Sequence, residues 1–247
     1  MTESARTTGS HGTAKGNEAI ALQDVTFRWP RSPSPVLDIA ALQVDRGERV
    51  FVAGPSGSGK TTLLNLLAGV TVPKSGRVEI LGQTTSAMSG AKRDRFRADH
   101  IGLIFQLFNL IPYLSVIENV VLPCHFAKSR REKACQRSGS TEAEALRLLG
   151  HLELDDPSVL KRSVTELSVG QQQRVAAARA LIGEPEIAIA DEPTSSLDAD
   201  LREAFVKLLF AECDRQKTTL VFVSHDRSLA TLFDRAISLP DINRAGN

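Results

Sequence analysis

The chain has 247 residues, 30 of them basic and 29 acidic, giving a net charge of +1, with 42% hydrophobic residues. That length fits one large domain, or a core with a smaller subdomain, and can bury a substantial core. The balanced charge leaves no electrostatic footprint for nucleic acid, and no apolar run approaches the ~20 residues that a membrane span needs.

Residues 1–17 begin MTESARTTGSHGTAKG, small and polar without the apolar segment of a signal peptide, and are expected to form a disordered leader. Residues 20–27 alternate like a strand and lead to Trp29-Pro30 and a Pro/Ser-rich turn. A second strand pattern covers 36–44 and is ended by Asp45-Arg46-Gly47-Glu48; residues 49–53 (RVFVA) read as a buried strand.

Gly54-Pro55-Ser56-Gly57-Ser58-Gly59-Lys60-Thr61 follows, matching the phosphate-loop pattern G-x-x-x-x-G-K-[ST] at every position. A triphosphate carries dense negative charge that many donors must hold at close range. Glycines let the backbone curl so that successive N–H groups face the phosphates. Lys60 can reach the terminal phosphates, and the Thr61 hydroxyl can bind Mg2+. Residues 60–68 read as a helix whose positive end faces the phosphates, with Thr62 in its first turn. The segment therefore predicts nucleoside triphosphate binding.

Pro73-Lys74-Ser75-Gly76 marks a turn, 77–81 a strand and 101–105 (IGLIF) a buried strand. Residues from about 107 to 160 lack strand alternation and are expected to form a mostly helical insert. Within it, 128–140 (KSRREKACQRSGS) reads as a solvated helix end and loop, and 141–149 as an amphipathic helix. After Leu167 the order helix, strand, helix, strand recurs over 171–181, 187–190, 201–212 and 219–223. That alternation predicts an α/β core with a largely parallel sheet. No internal repeat of the motif set is present, so one nucleotide-binding unit is expected and not two in tandem.

The strand 187–190 ends in Asp191-Glu192. Beside a phosphate loop, a carboxylate at a strand's C-terminal edge holds Mg2+, a role that fits Asp191. Glu192 would then project toward the γ-phosphate, where a general base can activate water. Leu167-Ser168-Val169-Gly170-Gln171 lies about 24 residues upstream of Asp191. Ser168 with Gln171 is a capping-box pattern, which serves equally as a structural helix start and as an anion-facing helix N-terminus.

These motifs together resemble the ATP-binding subunit of an ABC transporter, from about residue 20 to about residue 239. The resemblance implies a P-loop NTPase core with an antiparallel β subdomain and a helical subdomain at about 107–182, in one domain spanning 18–247. It implies Gln106, after its strand, as a ligand of nucleotide and Mg2+ that couples the nucleotide state to a membrane partner. Ser168, Gly170 and Gln171 resemble the family's signature, Ser195-Ser196-Leu197-Asp198 its D-loop, and His225 its switch histidine. Trp29 stands where the family places an adenine-stacking aromatic; core packing is its alternative. Lys60, Glu192 and His225 are the implied catalytic set, with ATP and Mg2+ as cofactors. Two copies would pair head to tail around ATP, on the cytoplasmic face of a membrane and against a membrane-spanning permease subunit. The run Phe105-Gln106-Leu107-Phe108-Asn109-Leu110-Ile111-Pro112, with Leu114-Ser115-Val116-Ile117-Glu118-Asn119-Val120, resembles the lipoprotein-release and macrolide-export group. Because the sequence runs only to residue 247, soon after Leu239, it is expected to lack the C-terminal regulatory domain of some importer cassettes.

Two residues depart from the family pattern. Val169 stands where glycine is usual, and its branched side chain is expected to restrict the backbone and slow turnover. Val164 stands where proline is common in the group. Two other functions share the superfamily: a soluble ATPase acting on DNA or ribosomes, and a regulator that switches without turnover. Cys124, Cys135 and Cys213 read as reduced, unpaired thiols of a cytosolic protein. His100, His125 and His151 match no motif and read as surface or boundary residues. Ser224 before His225 lacks a third group and forms no hydrolase triad.

Overall fold

The protein is described here by a computed structural model covering residues 16–245. The leader expected over 1–17 lies outside the described residues except for Gly16 and Asn17. The alternating segments become β1 (Glu18–Phe27) and β2 (Leu37–Asp45), an antiparallel pair in register from Ile20–Val44 to Phe27–Leu37. The apolar run becomes β3 (Arg49–Ala53), and the phosphate-loop sequence opens into α1 (Lys60–Leu67). Strands β4 (Ser75–Ile80) and β5 (Gln83–Thr84) return to β1 and complete a four-stranded sheet in the order β2-β1-β4-β5.

Residues 82–100, assigned no element from the sequence, hold β5 and an eleven-residue helix, α2 (Gly90–His100). That helix buries little beyond Phe96, so it carries no apolar stripe to read. Strand β6 (Ile101–Ile104) follows, then the helices α3 (Val116–Phe126), α4 (Lys128–Ser138), α5 (Thr141–His151), α6 (Pro157–Leu160) and α7 (Val169–Leu181). The chain closes with β7 (Ile187–Asp191), α8 (Ala199–Gln216), β8 (Thr219–Ser224), β9 (Arg235–Ser238) and α9 (Leu239–Ile242).

Strands β6-β7-β8-β3-β9 form a parallel sheet in that order. The central strands are apolar on both faces because both are covered. Phe51, Ala188, Ala190 and Phe222 point into one core with the helices α3 to α8. Val50, Val52, Ile189 and Val223 point into the other, against α1 and the antiparallel sheet. Each fully buried Val, Ile or Phe there contributes about 1.5–3 kcal/mol over an exposed one.

The stretch 128–140 corrects its reading as a solvated helix end and loop. It is a full helix, α4, and Arg130 within it is buried. Arg130 donates to the carbonyls of Ala180 (2.6 Å) and Ile182 (2.8 Å) at the C-terminal end of α7. Helix-end carbonyls lack intrahelical partners and carry partial negative charge, so a cation is stabilised there. Burial brings the guanidinium down to about 10. Helix α7 itself starts at Val169, two residues before the expected position, and α8 extends beyond 201–212 at both ends.

Candidate functional site

Because β3, β6, β7 and β8 are parallel, their C-terminal ends meet at one edge of the sheet, where α/β proteins hold their ligands. Residues 54–59 leave that edge after β3, Gln106 after β6, Glu192 after β7 and His225 after β8. Four sequence motifs that lie far apart in the chain are brought together there.

The phosphate-loop segment takes the curled form that its glycines permit, with φ of 81° at Gly57 and 98° at Gly59. A Cβ on Gly54 would stand 2.5 Å from the Ser58 hydroxyl, so a side chain there would force the Ser58 hydroxyl to turn away. The buried Lys60 ammonium donates to its own loop, at 2.7 Å to the Gly54 carbonyl and 3.1 Å to that of Pro55. Ser58 Oγ is buried without a hydrogen-bond partner. A stored cation and an orphaned hydroxyl inside a ring of backbone donors suit an anionic ligand. Thr62 is buried in the first turn of α1, next to the exposed Thr61.

The Thr61 hydroxyl donates to Asp191 Oδ2 at 3.2 Å, bringing two hard oxygen ligands together at the sheet edge. Burial pushes the Asp191 carboxyl above its ordinary pKa; the Thr61 bond opposes this and the neighbouring Glu192 charge adds to it. Glu192 is held at a left-handed φ of 45° by its own N–H, which donates to the Val223 carbonyl at 2.9 Å. A non-glycine residue held there is strained by about 1–3 kcal/mol. Its carboxylate spans two partners, Lys60 Nζ at 3.5 Å and His225 Nδ1 at 2.6 Å.

Trp29, Gly57, Lys60, Thr61, Gln106 and Glu192 line one cleft of about 370 Å³. Trp29 is 42% exposed at this cleft and packs edge to face at 4.9 Å on the buried Phe27. Ser168, Gly170 and Gln171 do not line this cleft. They form the N-terminus of α7, where Ser168 and Gln171 complete the expected capping box at 2.9 and 3.3 Å. Val169 is 45% exposed and stands in the first helical turn, outside the positive-φ region. The backbone half of the expectation for Val169 is thereby corrected, since a helical position asks nothing of glycine; its exposed bulk remains. Nothing in this chain crowds Gly170, whose nearest side-chain atom would lie 4.0 Å from an added Cβ. Val164 is buried in a single 3-10 turn.

Ser224 Oγ accepts from the Asp226 N–H at 3.0 Å, a local turn contact. His100 and His151 sit at boundaries, 2.9 Å from Glu186 and 2.8 Å from Glu212. His125 is exposed. Cys124, Cys135 and Cys213 are free thiols, and burial raises Cys124 to about 11.

Three residues around the site were given no role by the sequence. Asn243, near the C-terminus, accepts from the Asp38 N–H at 2.8 Å and donates to the Val36 carbonyl at 3.0 Å and the Ser58 carbonyl at 3.5 Å, bracing the phosphate loop. Asn119, on α3, bonds the Ile111 N–H and the carbonyls of Ile111 and Leu114. Arg179, on α7, donates to the carbonyls of Phe108 (2.5 Å) and Asn109 (2.6 Å). Both acceptor residues are left-handed non-glycines, with φ of 58° and 50°. Their strain of about 1–3 kcal/mol each is matched by charged hydrogen bonds worth about 1.5–3 kcal/mol each.

Residues 37–195 match the family described as "ABC transporter". The lipoprotein-releasing system ATP-binding protein LolD of Porphyromonas gingivalis is 41% identical over 83% of this chain and 90% of its own length. Two dimeric structures of the ATP-binding cassette MJ0796, one in a post-hydrolysis state bound to ADP and Pi, superpose with TM-scores of 0.76 and 0.75. They are 36% and 37% identical to this chain, each pairing covering 89% of it and 93% of the cassette. A complete phosphate loop, a paired-acid strand and a capped signature helix on this fold, with relatives this similar along most of the chain, leave one conclusion: the chain belongs to the ABC transporter family as its ATP-binding ATPase cassette.

Proposed function

We propose that this cassette hydrolyses ATP to energise a membrane-spanning partner of the lipoprotein-release or macrolide-export type, working as a head-to-tail pair of identical copies. The observation that carries the reading is the meeting of Lys60, Thr61, Asp191, Glu192 and Gln106 at one cleft beside Trp29. In this reading residues 18–247 act as one unit with a helical subdomain at about 107–182.

The Gly54–Thr62 backbone and the Lys60 ammonium hold the phosphates, Lys60 exchanging its loop carbonyls for phosphate oxygens. Trp29 stacks on adenine. Thr61, Asp191 and Gln106 hold Mg2+, for which two oxygen donors already in contact are a fitting start. A bound Mg2+ supplies neutralisation of charge on the transferring phosphoryl group. Glu192 accepts the proton of the attacking water as general base. His225 orients the Glu192 carboxylate through their 2.6 Å contact and would sense the γ-phosphate.

Ser168, Gly170 and Gln171 lie outside their own chain's cleft, so they serve the cleft of the second copy. The open space at Gly170 supports this, because packing within one chain does not require glycine there. ATP then touches both halves only when they are closed, which makes closure ligand-driven. The dimeric state of the MJ0796 cassettes supports the same pairing.

The partner's docking face is supported by exposed apolar surface beside Gln106. Tyr113 is 84% exposed and Phe126 75%, and a groove of about 300 Å³ between α2 and α3 is walled by Leu103, Phe105, Pro123 and Phe126. Patches of this kind mark interaction sites. Among the described residues no helix is long and apolar enough to cross a membrane, which fits a cassette held at the cytoplasmic face by its partner. The naming of the LolD relatives supports lipoprotein release over other cargo.

The test is affinity capture with tagged Glu192→Gln protein and MgATP from mildly solubilised membranes. Recovery of a protein with about four membrane helices and a large extracytoplasmic domain is expected. Recovery of soluble partners alone contradicts the transport reading.

A further inference from the structure

The segment between β6 and α3 belongs to two bodies. Its first residues, Phe105 and Gln106, directly follow β6 of the parallel sheet, which ends at Ile104. Its later residues are fixed by the helical insert, through Asn119 on Ile111 and Leu114 and through Arg179 on Phe108 and Asn109. Between them lie the two consecutive left-handed residues, one of which, Phe108, buries its ring in the core shared with α7.

Arg179 is buried and forms the floor of the groove that reaches Phe126. Its two hydrogen bonds both go to backbone carbonyls of this segment. Burial lowers its basicity. A buried cation paired with no carboxylate is costly unless each of its bonds is needed. The same helix begins at Ser168, about three turns away. Helix α7 is thus one rigid lever, with the signature residues at one end and the backbone just past Gln106 gripped at the other.

We propose that Arg179 is a positioning residue for ATP hydrolysis: its grip on the Phe108 and Asn109 carbonyls couples the pose of α7, and of the groove above it, to the reach of Gln106 toward Thr61 and Asp191. This rests on the reading of Gln106 given above. Movement of α7 relative to the sheet, whether from a partner in the groove or from a second copy at Ser168, would draw Gln106 toward or away from the cation site.

The test is a double-mutant cycle between Arg179→Met and Gln106→Ala, read as kcat, as the Mg2+ concentration for half-maximal activity, and as ATP affinity in EDTA. Arg179→Met is expected to lower kcat about tenfold and raise the Mg2+ requirement about threefold, with ATP affinity in EDTA within about twofold. In the Gln106→Ala background, Arg179→Met should then lower kcat by less than about twofold. Should Arg179→Met fail to fold by circular dichroism, Arg179→Lys, which keeps the charge but not the two-pronged grip, carries the same cycle. Multiplicative effects of the two substitutions, or an unchanged kcat in a folded Arg179 variant, overturn the coupling alone. A Gln106→Ala protein with unaltered kcat and Mg2+ requirement overturns the reading of Gln106, and the coupling with it.

Discussion

The phosphate loop and the segment after β6 lie on the same sheet edge but are held in different ways. The phosphate loop is fixed mainly from within, by two glycines at positive φ, the close approach of Gly54 to Ser58 and Lys60 folded back on the carbonyls of Gly54 and Pro55, with Asn243 reaching the Ser58 carbonyl from outside. The segment after β6 has no glycine; its two strained residues, Phe108 and Asn109, are held by Arg179, and the chain just beyond them by Asn119. A loop held by its own backbone stays put when its surroundings move. A loop held by a helix 70 residues away follows that helix. The first arrangement suits a fixed cradle for phosphate, and the second suits a part that reports the position of the helical insert.

The cradle side can be broken most strongly at its acids. Asp191→Asn should lower Mg2+-dependent ATPase by at least about 100-fold, since one charged metal ligand is lost. Stability should move the other way. The Asp191 pKa is raised on folding, so folding favours its protonated form, and stability is gained as pH falls through that raised value. Above it the charge is a cost, which asparagine removes. Thermal melts in EDTA at neutral pH should therefore show Asp191→Asn melting no lower than wild type, and a clear drop would contradict the assignment of burial as the cause.

The insert side should show the opposite pattern. Arg130→Met leaves the Ala180 and Ile182 carbonyls without their cation and should cost about 3 kcal/mol of stability, measured by urea unfolding. The ATPase rate per folded molecule should stay within about twofold. A large loss of rate at unchanged stability would show that the helical insert is not merely anchored through α4.

The smallest effect is expected at Val169. Its helical backbone needs no glycine, so Val169→Gly relieves only exposed bulk at the face offered to a second copy. ATPase should rise about two- to threefold; equal rates would remove any role for the side chain in closure.

These contrasts also explain what was legible in the sequence. The phosphate loop, the strands 49–53, 187–190 and 219–223, and the Ser168–Gln171 cap were readable because each is a local pattern: glycine spacing, a continuous apolar run, a hydroxyl three residues before an amide. Trp29, Gln106 and His225 could be named only through family resemblance, since a lone residue after a strand has no local signature. Helix α4 was misread because its buried positions include an arginine, so its inward face looked solvated. Arg179 and Asn243 act on backbone groups 70 and 185 residues away or more, and Asn119 on groups up to 8 residues away, and no periodicity records such pairings. The edge strand β9 and the short α9 are likewise completed only by the tertiary fold, through β3 and Asp38.

The central claim is that ATP closes two copies of this cassette and that Glu192 chemistry reopens them. The most direct measurement is the light-scattering mass of Glu192→Gln protein with MgATP, compared with MgADP and with wild type. The account predicts a doubled mass for Glu192→Gln in MgATP alone, with hydrolysis lowered at least about 100-fold. A single-copy mass in every condition, at nucleotide concentrations where ATP binding is demonstrated, would contradict it.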